Sequence, residues 1–160
     1  MNTFQTEKPQ MTLAGVTVRT TNAEEMGPNG RLAQLWDDYF RNQAALQANS
    51  HLAHLIYALY TDYESDATGA YTVIIGHEVD GAAAPAEAEG ARAVVPASRY
   101  RVFTTKKGPV HEVVAEAWGQ IWDYYKDSEE VRAFTGDFEV YDSRHFDPAN
   151  TEVQIYIAIA

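Results

Sequence analysis

Apolar residues recur along this chain in two spacings, and the two alternate in the same order twice. Val16-Thr17-Val18-Arg19-Thr20-Thr21 reads as a strand. Leu32, Leu35, Trp36, Tyr39 and Phe40 then fall at i, i+3, i+4, i+7 and i+8, which predicts an amphipathic helix starting near Asn29, after Gly27-Pro28. Ile56-Tyr57-Ala58-Leu59-Tyr60 and Tyr71-Thr72-Val73-Ile74-Ile75 follow as two more strands. The second pass runs Tyr100–Thr105, a helix opened by Gly108-Pro109 with the stripe Val113, Val114, Ala117, Trp118, Ile121, Trp122 and Tyr125, then Asp137–Tyr141 and Val153–Ile157. Strand, helix, strand, strand therefore appears twice, over about residues 11–80 and 97–160. Residues 81–96 read as a linker, because 81–93 are low in complexity and poor in large apolar groups. The expected fold is α+β within a single domain, 1–160. Two βαββ units related by a pseudo-twofold would form antiparallel sheets, with helices on one side and a central ligand cleft.

Period two also assigns faces. Val153, Ile155, Ile157 and Ile159 point one way, and Glu152, Gln154 and Tyr156 the other. In the preceding strand Phe138 and Val140 share one side, Glu139 and Tyr141 the other. The expectation is that the aliphatic set meets the helices. Glu139, Tyr141, Tyr156 and Tyr60 would then share the opposite, cleft-facing side. In the repeat alignment Glu139 falls opposite Ala58 of the first half, so the carboxylate is an addition to the duplicated pattern. A carboxylate among phenol rings attracts cations, and each ring face adds about 0.5–2 kcal/mol of cation–π attraction. Tyrosine hydroxyls can satisfy it while no ligand is present. Trp36 and Trp122, on the helix stripes, read first as packing residues.

Composition narrows the chemistry. Asp and Glu number 23 against 12 Lys and Arg, for a net charge of −11. That argues against direct nucleic-acid binding, which draws its affinity from cationic side chains, and it mildly favours cationic ligands. There is no cysteine, hence no disulfide, thiolate metal site or cysteine nucleophile. The amino-terminal stretch does not read as a signal peptide, and no apolar run is long enough to span a bilayer; a cytoplasmic protein is expected. His51 and His54 have helical metal-ligand spacing but no third ligand, and His111-Glu112 lacks the second histidine of a zinc-protease motif. Neither a Gly-x-Ser-x-Gly setting nor a phosphate-binding glycine loop occurs. No cofactor, metal or catalytic residue is expected.

With those residues assembled, the chain resembles the GyrI-like effector-binding family: the ligand-sensing domains of AraC- and MerR-type multidrug regulators, also found as stand-alone and integron cassette proteins. Residues 56–64, 100–109, 137–142 and 152–157 carry the likeness, in the right order on the duplication. The resemblance implies an aromatic pocket in which Glu139 meets lipophilic cations. It implies pocket roles for Tyr156, for Tyr57 or Tyr60, and for Trp118 as a wall; strand parity favours Tyr60 and family spacing Tyr57. The candidate ligand-binding set is thus Glu139, Tyr141, Tyr156, Tyr60, Tyr57, Trp118 and Trp36. The stretch ahead of the first predicted strand is too short for a DNA-binding unit, so transcriptional control would run through a separate regulatory protein partner. Two alternatives are a hydrolase of electrophilic natural products using a glutamate and a tyrosine, and a module that binds gyrase or another protein.

Overall fold

The computed structural model describes residues 2–28, 30–44, 54–65, 68–79 and 91–160. In chain order the elements are β1 (Asn2–Lys8), β2 (Met11–Thr21), α1 (Asn22–Glu25), α2 (Leu32–Arg41), β3 (Leu55–Thr61), β4 (Ala70–Val79), β5 (Ala91–Val95), β6 (Ser98–Thr104), α3 (Val110–Lys126), β7 (Asp137–Asp142), a 3-10 turn (Ser143–His145) and β8 (Gln154–Ile159). All eight strands join one antiparallel sheet in the order β1-β6-β8-β7-β3-β4-β2-β5. That order is a mirror about the β7–β3 seam. β6-β8-β7 of one half meets β3-β4-β2 of the other, and the two predicted βαββ units occupy its two sides.

Two strands were not expected. β5 lies inside the stretch read as a linker, and β1 precedes the first predicted strand. Each is exchanged between halves: β1 pairs with β6, and β5 pairs with β2. Neither segment has an apolar stripe of its own, so period alone could not reveal it; each covers an otherwise open sheet edge.

α2, the first of the predicted helices, begins at Leu32, later than the expected Asn29, and the reason is a side chain. The Glu25 carboxylate accepts hydrogen bonds from the Arg31 and Leu32 amides at 3.0 Å, satisfying donors at the open helix end. α3 starts where Gly108-Pro109 predicts, with Pro109 at its N-cap. Both helices lie on one face of the sheet over a core of Leu35, Tyr39, Ile56, Ala58, Val73, Ile75, Phe103, Ala117, Ile121, Ile155 and Ile157. The other face carries a second buried cluster that includes Leu13, Tyr57, Leu59, Ile74, Tyr100 and Phe138. Gly15 and Gly76 face one another in register on that side, where a Cβ on either would run into the facing Ile75 or Ala14 carbonyl.

His77 fastens α2 to the sheet. Its Nδ1 lies 2.9 Å from the Leu55 carbonyl and its Nε2 lies 2.7 Å from the Tyr39 hydroxyl. A carbonyl can only accept, so Nδ1 carries the proton and Nε2 accepts from Tyr39. Burial holds this imidazole below the usual histidine range, in its neutral form. Among the described residues no helix is long and apolar enough to cross a membrane, and no group of acidic and histidine side chains could hold a metal ion. His51 lies outside the described residues.

Candidate ligand site at the seam of the two halves

β7 pairs with β3 on one side and β8 on the other, and the two registers place every candidate. Glu139 stands opposite Ala58 and opposite Ile155. Since Ala58 and Ile155 belong to the helix-side core, so do Glu139 and Tyr141. The expectation that these residues face away from the helices is therefore corrected. The aliphatic side of β8 does meet the helices, but Glu139 shares that side, whereas Tyr156 pairs with Phe138 on the opposite face. Tyr57 also lies on that opposite face. The sheet separates both tyrosines from the Glu139 carboxylate.

The remaining candidates converge. The Tyr60 hydroxyl donates to Glu139 Oε2 at 2.7 Å, Trp118 Nε1–H donates to the same oxygen at 2.7 Å, and the Tyr141 hydroxyl donates to Oε1 at 2.5 Å. Trp118 sets its ring against Tyr60 at 5.1 Å, and Trp36 sets its ring edge-on to Tyr141 at 5.2 Å. Each half thus sends a helix tryptophan onto the strand tyrosine of the other.

The duplication explains this geometry. Residues equivalent in the repeat and directly opposed in an antiparallel pair lie at the pseudo-twofold axis, and Ala58 and Glu139 are both. Tyr60 and Tyr141 are then an equivalent pair flanking the axis from either side. Two symmetric phenols embrace an asymmetric acid, and the small Ala58 side chain opposite leaves room for it. Trp118 has no such twin, since the matching position of α2 is Leu32. The added carboxylate and the added indole donor meet each other.

Glu139 is only 2% exposed. Burial pushes its carboxyl above the usual carboxylate range, against the pull of hydrogen bonds from Tyr141, Tyr60 and Trp118. Its charge receives no compensation from a cation: the three donors are neutral, and none of the ion pairs among the described residues includes it. Burial, and then the adjacent acid, hold the Tyr60 and Tyr141 hydroxyls well above the usual tyrosine range, so both stay protonated donors. A carboxylate offers about four acceptor positions. Oε2 already has two donors and Oε1 has one, so a position remains on the Tyr141 side.

A second buried acid, for which the sequence suggested no role, lies two residues away. Asp137 accepts from Arg132 Nη2 at 2.6 Å, from the Tyr63 hydroxyl at 2.5 Å, and through its other oxygen from the Ala158 amide at 2.8 Å. Arg132 also lies 4.4 Å from the Phe134 ring centroid, while its buried Nε–H has no hydrogen-bond partner. Asp137 stands at the start of a predicted strand, and its ion partner comes from an irregular connection. No periodic signal links the two.

Comparison with known proteins agrees with this architecture. YobU of Bacillus subtilis (strain 168), named as a candidate transcriptional regulator, is 40% identical over 149 residues, covering 91% of this chain and 90% of YobU. The crystal structure of integron cassette protein VCH_CASS2, from the mobile metagenome of Vibrio cholerae, superposes with a TM-score of 0.77 at 32% identity, over 99% of this chain and 95% of that one. The structure of SAV2435 bound to tetraphenylphosphonium superposes with a TM-score of 0.80 over 100% of this chain and 94% of that one; at 19% identity it shows a shared fold. The family model described as integron-associated effector binding protein matches residues 6–159, and the chain belongs to that family.

Proposed function

We propose that this protein binds lipophilic cationic aromatic molecules as effectors, with the Glu139 carboxylate as charge partner and Tyr60, Tyr141, Trp118 and Trp36 as the aromatic walls. One observation carries the reading: a carboxylate buried at the seam of the two halves is held by three neutral donors and, among the described residues, by no cation. An ion taken out of water without a counter-charge costs several kcal/mol. A cation arriving from solution would recover that cost, and a neutral molecule of the same shape would not. The aromatic rings on both sides of the acid add dispersion, and a cation seated over a ring face gains cation–π attraction. The tetraphenylphosphonium complex of SAV2435, on the same fold, supports the same ligand class. With a net charge of −11 this chain is a poor partner for nucleic acid.

The test is a tetraphenylphosphonium titration of wild type and Glu139→Gln, followed by quenching of tryptophan fluorescence. Loss of the charge should weaken binding by about tenfold or more, since two unit charges roughly 5 Å apart attract by about 3 kcal/mol at an effective dielectric constant of about 20. Equal affinities would remove Glu139 from the proposal.

A further inference from the structure

The aromatic side chains around Glu139 do not end at the site. From Tyr141 they continue outward to the solvent: Trp36 lies 5.2 Å from Tyr141, and Phe40 lies 6.0 Å from Trp36. On the other side of Tyr141 lies Phe146, at 6.2 Å. Exposure rises along the same path, from 2% at Glu139 and 7% at Tyr141 to 38% at Phe146 and 53% at Phe40. An isolated exposed phenylalanine needs no explanation. Two of them, from different elements, end one row of ring contacts that runs through a buried tyrosine.

Local structure fixes both rings. Phe40 stands four residues after Trp36 on α2, so the two share a helical face. Phe40 had been grouped with the core stripe, but Leu35 and Tyr39 take the buried positions and turn it outward. Phe146 follows the 3-10 turn at Ser143–His145. Asp142 caps that turn by accepting from the Arg144 amide at 3.0 Å, and the Ser143 amide donates to the His54 carbonyl at 2.8 Å. The turn is thereby tied to the entry of β3. This is also the side of Glu139 on which Oε1 keeps an open acceptor position.

We infer that Phe40 and Phe146, with Trp36, form an outer aromatic subsite that grips a ring substituent of the effector while its cationic centre lies against Glu139. The inference rests on the proposed reading of Glu139 and narrows it: the effector is a cation bearing several aromatic rings, and a small quaternary ammonium forgoes most of the affinity. The single occupant follows from contact: the buried Tyr141 belongs to the hydrogen-bonded site, and the ring contacts that start from it end at the exposed Phe146 and, through Trp36, at the exposed Phe40.

The experiment compares two probes by isothermal titration calorimetry, methyltriphenylphosphonium and the single-ring cation benzyltrimethylammonium, on wild type, Phe40→Ala/Phe146→Ala and Glu139→Gln. Both phenylalanines are exposed, so the double variant should keep the wild-type circular dichroism and melting temperature. The double variant should bind methyltriphenylphosphonium about tenfold more weakly, because two ring–ring contacts are lost, and benzyltrimethylammonium within about twofold of wild type. Glu139→Gln should weaken both probes. An unchanged affinity of the double variant for methyltriphenylphosphonium overturns the subsite, as does an equal loss for both probes. If Glu139→Gln binds both probes like wild type while the double variant still discriminates, the charge reading fails and the subsite stands. Failure of wild type to bind either probe overturns both.

Discussion

Two carboxylates, Asp137 and Glu139, sit two residues apart on the same face of one strand, and both are closed off from water. Asp137 has an arginine, a backbone amide and a phenol. Glu139 has two phenols and an indole, and no cation. The first arrangement is complete: its charge is neutralised within the fold, and its second oxygen continues the ladder where β7 and β8 part. The second is satisfied in hydrogen bonds but not in charge. The difference teaches that burial alone does not mark a binding site for an ion. On the proposed reading, the lack of a counter-charge among the described residues marks it instead, because that leaves free energy for a ligand to recover.

The strongest way to break this comparison is to remove each acid in turn. Asp137→Asn should lower unfolding free energy by about 3–5 kcal/mol in urea, because it strands the buried Arg132 guanidinium without its partner. The double replacement Arg132→Met/Asp137→Leu should cost less than Asp137→Asn alone. If Asp137→Asn unfolds no more readily than Glu139→Gln, the distinction between a complete and an incomplete site is wrong.

A smaller effect should come from the donors. Tyr141→Phe removes one hydrogen bond to a charged group and should cost about 1.5–3 kcal/mol in the wild-type background. In the Glu139→Gln background the same change should cost under about 1 kcal/mol, the difference being read from a double-mutant cycle. Equal costs in the two backgrounds would mean that the carboxylate is not ionised in the free protein.

The titration of Glu139 is the most diagnostic check. Burial raises the Glu139 carboxyl above its ordinary value of 4.5, so the folded protein holds that proton more tightly than the unfolded chain does. Its contribution to stability is therefore full below the ordinary value and is lost as pH rises through the raised one. Wild type should accordingly lose stability relative to Glu139→Gln as pH rises across that window, measured as the difference between their unfolding free energies at each pH. Cation affinity should run the opposite way, falling as pH drops through the raised value, because a protonated acid attracts no cation. Parallel trends in stability and affinity would contradict the assignment.

Much of this was legible in the chain. The duplicated order of elements, the start of α3 at Pro109 and the singularity of Glu139 against Ala58 all follow from spacing and from alignment of the two halves. The convergence of Tyr60 and Tyr141 on the acid also follows, once the axis is known to run between residues 58 and 139. What failed was the assignment of faces. Period two separates the sides of a strand but does not say which side a helix covers, and here both sides are buried. Ile56, Tyr57, Ala58 and Leu59 are consecutive and all inaccessible. With no solvent-facing side to serve as a reference, only the pairing of Glu139 with Ile155 could fix the direction.

The sequence by itself determined the two-fold plan, the helix stripes and the identity of the odd carboxylate, because these are properties of local spacing and of comparison between halves. Tertiary structure alone decided that β1 and β5 cross between the halves and that Tyr57 and Tyr156 are shut away behind the sheet. It also decided that Arg132 neutralises Asp137 while no ion pair among the described residues reaches Glu139. Those outcomes depend on strand register and on long-range pairing of charges, and a distance across the sheet leaves no period along the chain.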